Sequence, residues 1–190
     1  MRIFCGKLPV LLQTNLFLHP QNQKTKYKSK RALSIIAGKN IIMDKIKFGT
    51  DGWRAIIAEE FTVENVKRVA YATALWLRKH YQEPSAVVGN DCRFAGKLFA
   101  DTTACVLASQ GIKVYRSENT FVSTPMVSLG TVKLQADAGI VITASHNPAE
   151  YNGYKIKASY GGPATPAMID EVEALIPDTK MKVPRCTLLQ

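Results

Sequence analysis

The stretch that decides the fold is Ala138-Gly139-Ile140-Val141-Ile142, which leads directly into Thr143-Ala144-Ser145-His146-Asn147-Pro148. A short apolar run followed by small residues and a proline is typical of a buried strand that ends in a tight loop. A second stretch, Tyr154–Ala158, contains Lys155 and Lys157 among apolar residues and predicts the next strand. The pattern therefore predicts that one strand carries Ser145 to the edge of a sheet, and that Lys155 lies on the strand that follows.

Helices are predicted on both sides of this centre from apolar residues at helical spacing and from capping residues. The predicted helices run from Thr62 to about His80, from Lys97 to Gln110, from Thr124 onward, and from Thr165 to Pro177. Gly111 is expected to end the second helix in the left-handed conformation, and Thr124 to be the N-cap of the third, with Pro125 as its first residue. In the last helix the apolar residues are expected to face inward; they are Met168, Ile169, Val172, Leu175 and Ile176.

Short apolar runs alternate with these helices and predict the strands of a sheet. The runs are Ala86–Gly89, Ile112–Tyr115, Gly139–Thr143 and Tyr154–Ala158. Alternating strands and helices favour an α/β fold, with a mostly parallel, mixed sheet between helices on both faces. We therefore predict a single three-layer α/β/α domain over residues 44–178, with residues 179–190 as a truncated linker.

The formal net charge of +10 is unevenly distributed along the chain. Residues 1–43 contain eight Lys and Arg and no Asp or Glu, whereas residues 44–190 contain 17 basic and 15 acidic residues, so 17 − 15 leaves +2. A nearly neutral domain argues against a nucleic-acid partner. Residues 1–43 are predicted to be a disordered basic extension or the product of a mis-assigned start, in which case Met43 is the first residue.

The cysteines indicate a reducing compartment. Cys5, Cys92, Cys105 and Cys186 form no CxxC pair and no ligand spacing with the histidines. Reduced thiols without a metal are the expected state, and we predict a cytoplasmic protein. No apolar stretch approaches the ~20 residues that a spanning helix needs, so no membrane partner is expected.

The residues around Ser145 suit nucleophilic or phosphoryl-transfer chemistry. A serine hydroxyl can carry a phosphoryl group, His146 can exchange a proton, Asn147 offers an amide, and Lys155 supplies a cation. Purely structural interpretations remain open: a turn serine bonded to its own backbone, a histidine that orients the loop, and a solvated lysine. A serine hydrolase is disfavoured because the Gly-x-Ser-x-Gly elbow is absent around Ser145.

Two further segments place charged side chains near the same sheet edge. Phe48–Arg54 contains two glycines, and Arg54 offers a planar fork for phosphate. Gly89–Arg93 follows a predicted strand and brings Asp91 and Arg93 to its carboxyl end. The alternative for Asp91 and Arg93 is an ion pair with each other.

Together these segments resemble the α-D-phosphohexomutase family, which includes phosphoglucomutase and phosphomannomutase. The matching segments are Phe48–Arg54, Val88–Arg93, Ser123–Pro125, Gly139–Pro148 and Asn152–Lys155. The resemblance covers the chain from about Ile46 to Pro177 and matches the family's first domain in order and spacing. Asn90 and Cys92 depart from the Arg and Thr that are more usual in the second segment.

The resemblance implies a mechanism. Ser145 would be the phosphoserine that gives its phosphoryl group to a hexose monophosphate, forms a hexose bisphosphate and receives the other phosphate back. It would also coordinate Mg²⁺. His146, Lys155 and Arg54 match positions of catalytic residues. For substrate binding, the prediction names Asn147, Asp91 and Arg93.

The family's further domains have no counterpart in this sequence. Its members have four domains, and the second supplies an Asp-Gly-Asp-x-Asp-Arg metal loop that is absent here. Phosphorylated Ser145 would then be the only Mg²⁺ ligand, which is too few. We therefore expect domains II–IV of the same enzyme as partners, and an inactive chain in their absence. The alternative is a non-catalytic binding or assembly module that retains the fold.

Overall fold

The structure, a computed structural model, describes residues 43–50, 52–117 and 121–182. The predictions for residues 1–42 and 183–190 lie outside the described residues. In chain order the elements are β1 (Trp53–Ile56), α1 (Val63–His80), β2 (Ser85–Asn90), α2 (Gly96–Ser109), β3 (Lys113–Arg116), α3 (Thr124–Lys133), β4 (Ala138–Ile142), β5 (Tyr151–Ala158) and α4 (Pro166–Ala174). Within the described part of the chain, no helix has the length and apolarity that crossing a bilayer requires.

The strands form one mixed sheet in the order β1-β5-β4-β2-β3. β2 pairs in parallel with β3 and β4, while β5 pairs antiparallel with β4 and β1. Four of the five strands consequently point the same way, and the predicted α/β class is confirmed. The antiparallel β4–β5 pair is joined by residues 143–150, so Ser145 lies in a wide hairpin at the carboxyl end of β4.

One face of the sheet is covered by α1, α2 and α4. Alternate residues of each strand point to this face, as the pleat of a strand requires. The strand and helix residues that are buried there include Ala138, Ile140, Ile142, Val66, Val69, Leu77 and Val172. Phe61 is fully buried between Trp53, on which it stacks with a centroid distance of 4.6 Å, and the edge-on ring of Phe99 at 4.8 Å.

The opposite face is covered, among the described residues, by α3. Val122, Val127 and Val141 are buried there, with Val87 partly buried beside them. The outer side of α3 is also apolar, and three of its residues are about half exposed; they are Met126, Leu129 and Val132. We call these three residues the α3 stripe.

Most predicted helix ends are confirmed, with two corrections, the first being that α4 ends at Ala174, three residues before the predicted Pro177. Thr62 and Thr165 accept the backbone N–H groups of Asn65 and Met168 at 3.2 and 3.3 Å, and Gly111 has the expected positive φ of 79°. For α3 the predicted cap Thr124 is wrong by one residue. The carbonyl of Ser123 accepts the N–H groups of Met126 and Val127, so the helical bonding begins there.

β1 was not predicted, because its four residues follow a glycine-rich segment and its partner lies about a hundred residues away. Trp53 pairs with Tyr154 and Ile56 with Tyr151, so β5 begins three residues earlier than predicted. Gly52, which precedes β1, has φ +98°, and a Cβ there would lie 2.6 Å from the carbonyl oxygen of Tyr154. Only glycine fits this approach.

Arg68 joins the two ends of the described domain. Its side chain is fully buried, donates to the carbonyl of Pro177 at 2.6 Å and to that of Asp44 at 3.1 Å, and reaches Asn65 Oδ1 at 2.8 Å. Burial lowers the pKa of Arg68, and neighbouring acidic groups, Asp178 foremost, oppose that shift. The hydrogen bonds satisfy the guanidinium that α1 buries.

Candidate active site

The serine loop, residues 143–150, begins with buried residues and exposes Ser145 to solvent. Thr143 and Ala144 are buried, whereas Ser145 and His146 are exposed. Ser145 has φ +57°, the left-handed conformation that non-glycine residues adopt at a cost of about 1–2 kcal/mol. A residue held in this conformation needs support from its surroundings.

The first support is a chain of hydrogen bonds from Asp91 to the backbone of Ser145. Thr143 Oγ1 accepts the Ser145 N–H at 2.9 Å and donates to the carboxylate of Asp91. The N–H of Asp91 in turn donates to the carbonyl of Ile142 at 3.1 Å. The only sign of this role in the sequence is a hydroxyl residue at the strand end, two positions before the serine.

The second support is Arg93. Its two Nη groups donate to four carbonyls, those of Ser145 (2.8 Å), Asn147, Pro148 (2.8 Å) and Tyr151 (2.9 Å). Its backbone N–H donates to Asp91 Oδ1 at 3.0 Å, and its Nε lies 3.7 Å from Asp91 Oδ2. The two residues therefore pair, and both also hold the loop. Their assignment to substrate binding stays a prediction.

Arg54 and Asn147 lie together, although 93 positions separate them. Arg54 Nη1 donates to Asn147 Oδ1 at 3.1 Å. Arg54 lies on β1 opposite Gly153 of β5, where a Cβ would come within 2.5 Å of the Thr143 carbonyl. The close packing of these backbones brings the β1 arginine to the serine loop.

Lys155 is positioned by the sheet. It pairs with Val141 of β4 and is only 6% exposed. Its stem packs beside Gly52, where a Cβ would come within 2.9 Å of Lys155 Cγ. Lys157 follows on the same face and is 8% exposed. The sheet thus buries two cationic side chains on the face that α3 covers in part.

Asn90, one of the departures from the family pattern, bonds the backbone of Asp91. Its side chain is buried, donates to the Asp91 carbonyl at 2.9 Å and accepts from Arg116 Nη2 at 3.2 Å. Arg116 Nη2 also donates to Asp101 at 2.8 Å. Burial alone raises the pKa of Asp101, but hydrogen bonds from Lys97 and Arg116 lower it below its usual value.

A surface depression of about 300 Å³ borders the serine loop through Asp91 and Arg93. A larger one, about 570 Å³, lies at the other end of the strands, beside Pro84 and Gly111. Ligands of open α/β sheets bind at the carboxyl ends of the strands. The smaller depression therefore has the position expected for a substrate site.

The described residues do not form a magnesium site by themselves. No group of three or more His, Cys, Asp or Glu within them could hold a metal ion. The carboxylate of Asp91 is bonded to Thr143 and to the N–H of Arg93. Ser145 contributes a single oxygen, and Mg²⁺ requires several oxygen ligands.

Comparison with known proteins places this geometry in context. The family described as phosphoglucomutase/phosphomannomutase, alpha/beta/alpha domain I, matches residues 45–182. The chain is 37% identical to a phosphoglucomutase of Staphylococcus saprophyticus over 134 residues, which are 69% of this chain and 24% of that protein. It is 38% identical to a phosphoglucosamine mutase of Shouchella clausii over 138 residues, 73% of this chain and 30% of the relative.

A solved structure is similar as well. The crystal structure of a Thermus thermophilus protein assigned as a phosphomannomutase superposes with a TM-score of 0.71 at 37% identity, covering 73% of this chain and 31% of that one. The chain therefore spans about a quarter to a third of the length of these relatives.

Proposed function

The chain belongs to the phosphoglucomutase/phosphomannomutase family through that family's α/β/α domain I, and we propose from this that Ser145 carries the phosphoryl group of a phosphohexomutase. In the proposed reaction the bond between phosphorus and the serine oxygen breaks as a bond to a hydroxyl of a hexose monophosphate forms. The hexose 1,6-bisphosphate then reorients and returns its other phosphate to Ser145. The net change interconverts hexose 1-phosphate and hexose 6-phosphate.

The observation that carries this proposal is the presentation of Ser145. It is exposed at the carboxyl end of β4 in a left-handed conformation, while the loop beneath it is bonded to β1 and to residues beyond β2. A serine that merely bonded its own turn would not require these long-range supports. A phosphoryl carrier does, because catalysis of this transfer depends mainly on positioning and on electrostatic stabilisation.

The neighbouring residues receive defined roles in the proposal. Lys155 and Arg54 offset the negative charge of the phosphoserine and of the transferring group. His146 exchanges the proton of the reacting sugar hydroxyl, and Asn147, oriented by Arg54, contacts the substrate. These roles are supported by the family resemblance and by the common location of the residues at one sheet edge.

Mg²⁺ and domains II–IV complete the proposal. Phosphorylated Ser145 would contribute one ligand to Mg²⁺, which would supply positive charge at the phosphoryl group, and the other ligands would come from outside the described residues. The chain alone is proposed to be inactive, because it spans about a quarter to a third of its relatives. The three relatives described above are named for glucose, glucosamine and mannose phosphates, so the proposed substrate class is a hexose phosphate. The proposed location is the cytoplasm.

The test compares two serine variants of the protein joined to its domains II–IV. Ser145→Ala should abolish interconversion of hexose 1-phosphate and 6-phosphate in the presence of Mg²⁺ and catalytic hexose bisphosphate. Ser159→Ala, an exposed serine just after β5, is the matched control and should keep full activity. Full activity in Ser145→Ala contradicts the proposal. A folded wild-type protein without mutase activity favours the binding-module alternative.

A further inference from the structure

Arg93 concentrates its hydrogen bonds on the backbone of the serine loop. All four carbonyls that it reaches belong to the loop or to Tyr151, the first residue of β5. We propose that Arg93 is the positioning residue that fixes Ser145 in its left-handed conformation for phosphoryl transfer. This inference rests on the proposed function of Ser145 and adds to it the residue that holds the serine.

The geometry favours a positioning role over contact with substrate. A guanidinium has five N–H donors, and here the two Nη groups already serve four carbonyl oxygens. The remaining Nε faces Asp91 at 3.7 Å. The Arg93 side chain is only 14% exposed, and its charge-assisted bonds to the Asn147 and Tyr151 carbonyls are partly buried.

The loop needs this support because its own backbone bonding is sparse. The N–H groups of Asn147 and Tyr151 donate to the carbonyls of Ala144 and Pro148, each at 3.1 Å. The carbonyls of Ser145 and Asn147 accept from the guanidinium instead, and that of Pro148 accepts from it in addition to the Tyr151 N–H. Removing the guanidinium leaves three convergent carbonyls without their shared donor, and their mutual repulsion then opens the turn.

Arg93 is itself fixed by Asp91. One carboxylate oxygen of Asp91 accepts the Arg93 N–H, and the other accepts the Thr143 hydroxyl, which in turn receives the Ser145 N–H. Asp91 and Arg93 thus hold Ser145 at both of its backbone polar groups: Asp91 through Thr143 at the Ser145 N–H, and Arg93 at the Ser145 carbonyl. Because both residues closely follow β2, the position of Ser145 depends on where that strand ends.

The first experiment measures amide hydrogen exchange in the wild-type chain, in Arg93→Lys and in Arg78→Lys. Arg78 is an exposed arginine of α1 and provides the matched control. Lysine keeps the charge but cannot span four carbonyls, so the Asn147 and Tyr151 amides should exchange about tenfold faster or more, with α1 unchanged. Unchanged loop exchange overturns the proposal. An equal increase throughout the domain also does so, since it would make Arg93 a general support of the fold.

The second experiment separates positioning from substrate binding in the protein joined to domains II–IV. Arg93→Ala should lower kcat by about tenfold or more with little change in KM, and added guanidinium ion should restore part of the lost rate. Arg78→Ala should match wild type. A raised KM at unchanged kcat overturns the proposal in favour of direct substrate binding. If Ser145 takes no phosphate in the wild-type protein, the proposed function fails, and the exchange experiment still decides whether Arg93 fixes the loop.

Discussion

The two faces of the sheet differ in how fully the described residues cover them. On the first face, α1, α2 and α4 enclose a large core that contains Phe61 and Leu77 at zero exposure. On the second face, α3 encloses a much smaller cluster around Val127. The second face also holds the buried Lys155 and Lys157.

The first face contributes most of the apolar core, whereas the second face holds the residues proposed for chemistry. Stability depends mainly on apolar area removed from water, which is concentrated on the first face. The proposed phosphoryl transfer needs cations and an accessible serine, and the cationic residues lie on the less covered face and at the sheet edge above it. The two faces should therefore respond differently to substitution, and the variants below compare them from the largest expected effect to the smallest.

The largest effect on stability is expected from the first face. Phe61→Ala removes a fully buried ring between two aromatic neighbours and should lower the free energy of unfolding by about 3–5 kcal/mol. Urea unfolding followed by tryptophan fluorescence measures it. The matched control is Phe94→Ala, because the Phe94 side chain is 77% exposed, and it should change stability by less than about 0.5 kcal/mol. Similar losses in both variants would contradict the account of the first face.

A smaller effect, on association rather than stability, is expected from the second face. The α3 stripe is exposed apolar surface, so the isolated chain should self-associate as its concentration rises. Leu129→Glu should shift it toward monomer in size-exclusion chromatography with light scattering. Leu98→Glu changes a leucine of similar exposure, 54% against 57%, on α2 and should leave association unchanged. A wild-type chain that stays monomeric at every concentration would refute this prediction.

The smallest effect is expected for Asp101 on α2, which should make stability depend on pH in the acidic range. The pKa of Asp101 is below its usual 3.8 in the folded chain, despite burial that acts in the opposite direction, because Lys97 and Arg116 donate to it. Its contribution to stability is therefore complete above that value and is lost as pH falls through the folded pKa. Asp101→Asn should remove this pH dependence of stability. We expect the effect to be less than about 1 kcal/mol, because the ion pairs of Asp101 with Lys97 and Arg116 are partly exposed.

The measurement is the urea midpoint of unfolding as pH is lowered below about 4. Wild type should lose stability more steeply than Asp101→Asn over this range. Glu83→Gln, at an exposed carboxylate, should follow wild type. If the urea midpoints of wild type and Asp101→Asn fall equally with pH, this prediction for Asp101 is wrong.

The features that sequence could predict are those set by local residues. Thr62 and Thr165 cap helices through bonds to residues three positions ahead, and the apolar spacing of α1 and α4 identifies their inner faces. The strand that ends before Ser145 is likewise marked by its own apolar run. In each case the physical cause lies within a few residues of its effect.

The features that sequence could not predict depend on distant partners. β1 exists because it pairs with β5, and Arg93 holds carbonyls more than fifty positions away. The sequence does predict the sheet edge at which Asp91 and Arg93 lie, because the carboxyl ends of parallel strands meet there. Their bonds to the serine loop, and the left-handed conformation of Ser145, follow from how β2 and β4 align in the folded sheet.

The most direct test of the central claim is the site of phosphorylation. The chain joined to the proposed domains II–IV would be incubated with Mg²⁺ and a hexose 1,6-bisphosphate that carries labelled phosphate, then digested and its labelled peptides sequenced. We predict label on Ser145 and on no other residue. Label on another residue, such as Ser123 or Thr143, with Ser145 unlabelled, would contradict the account.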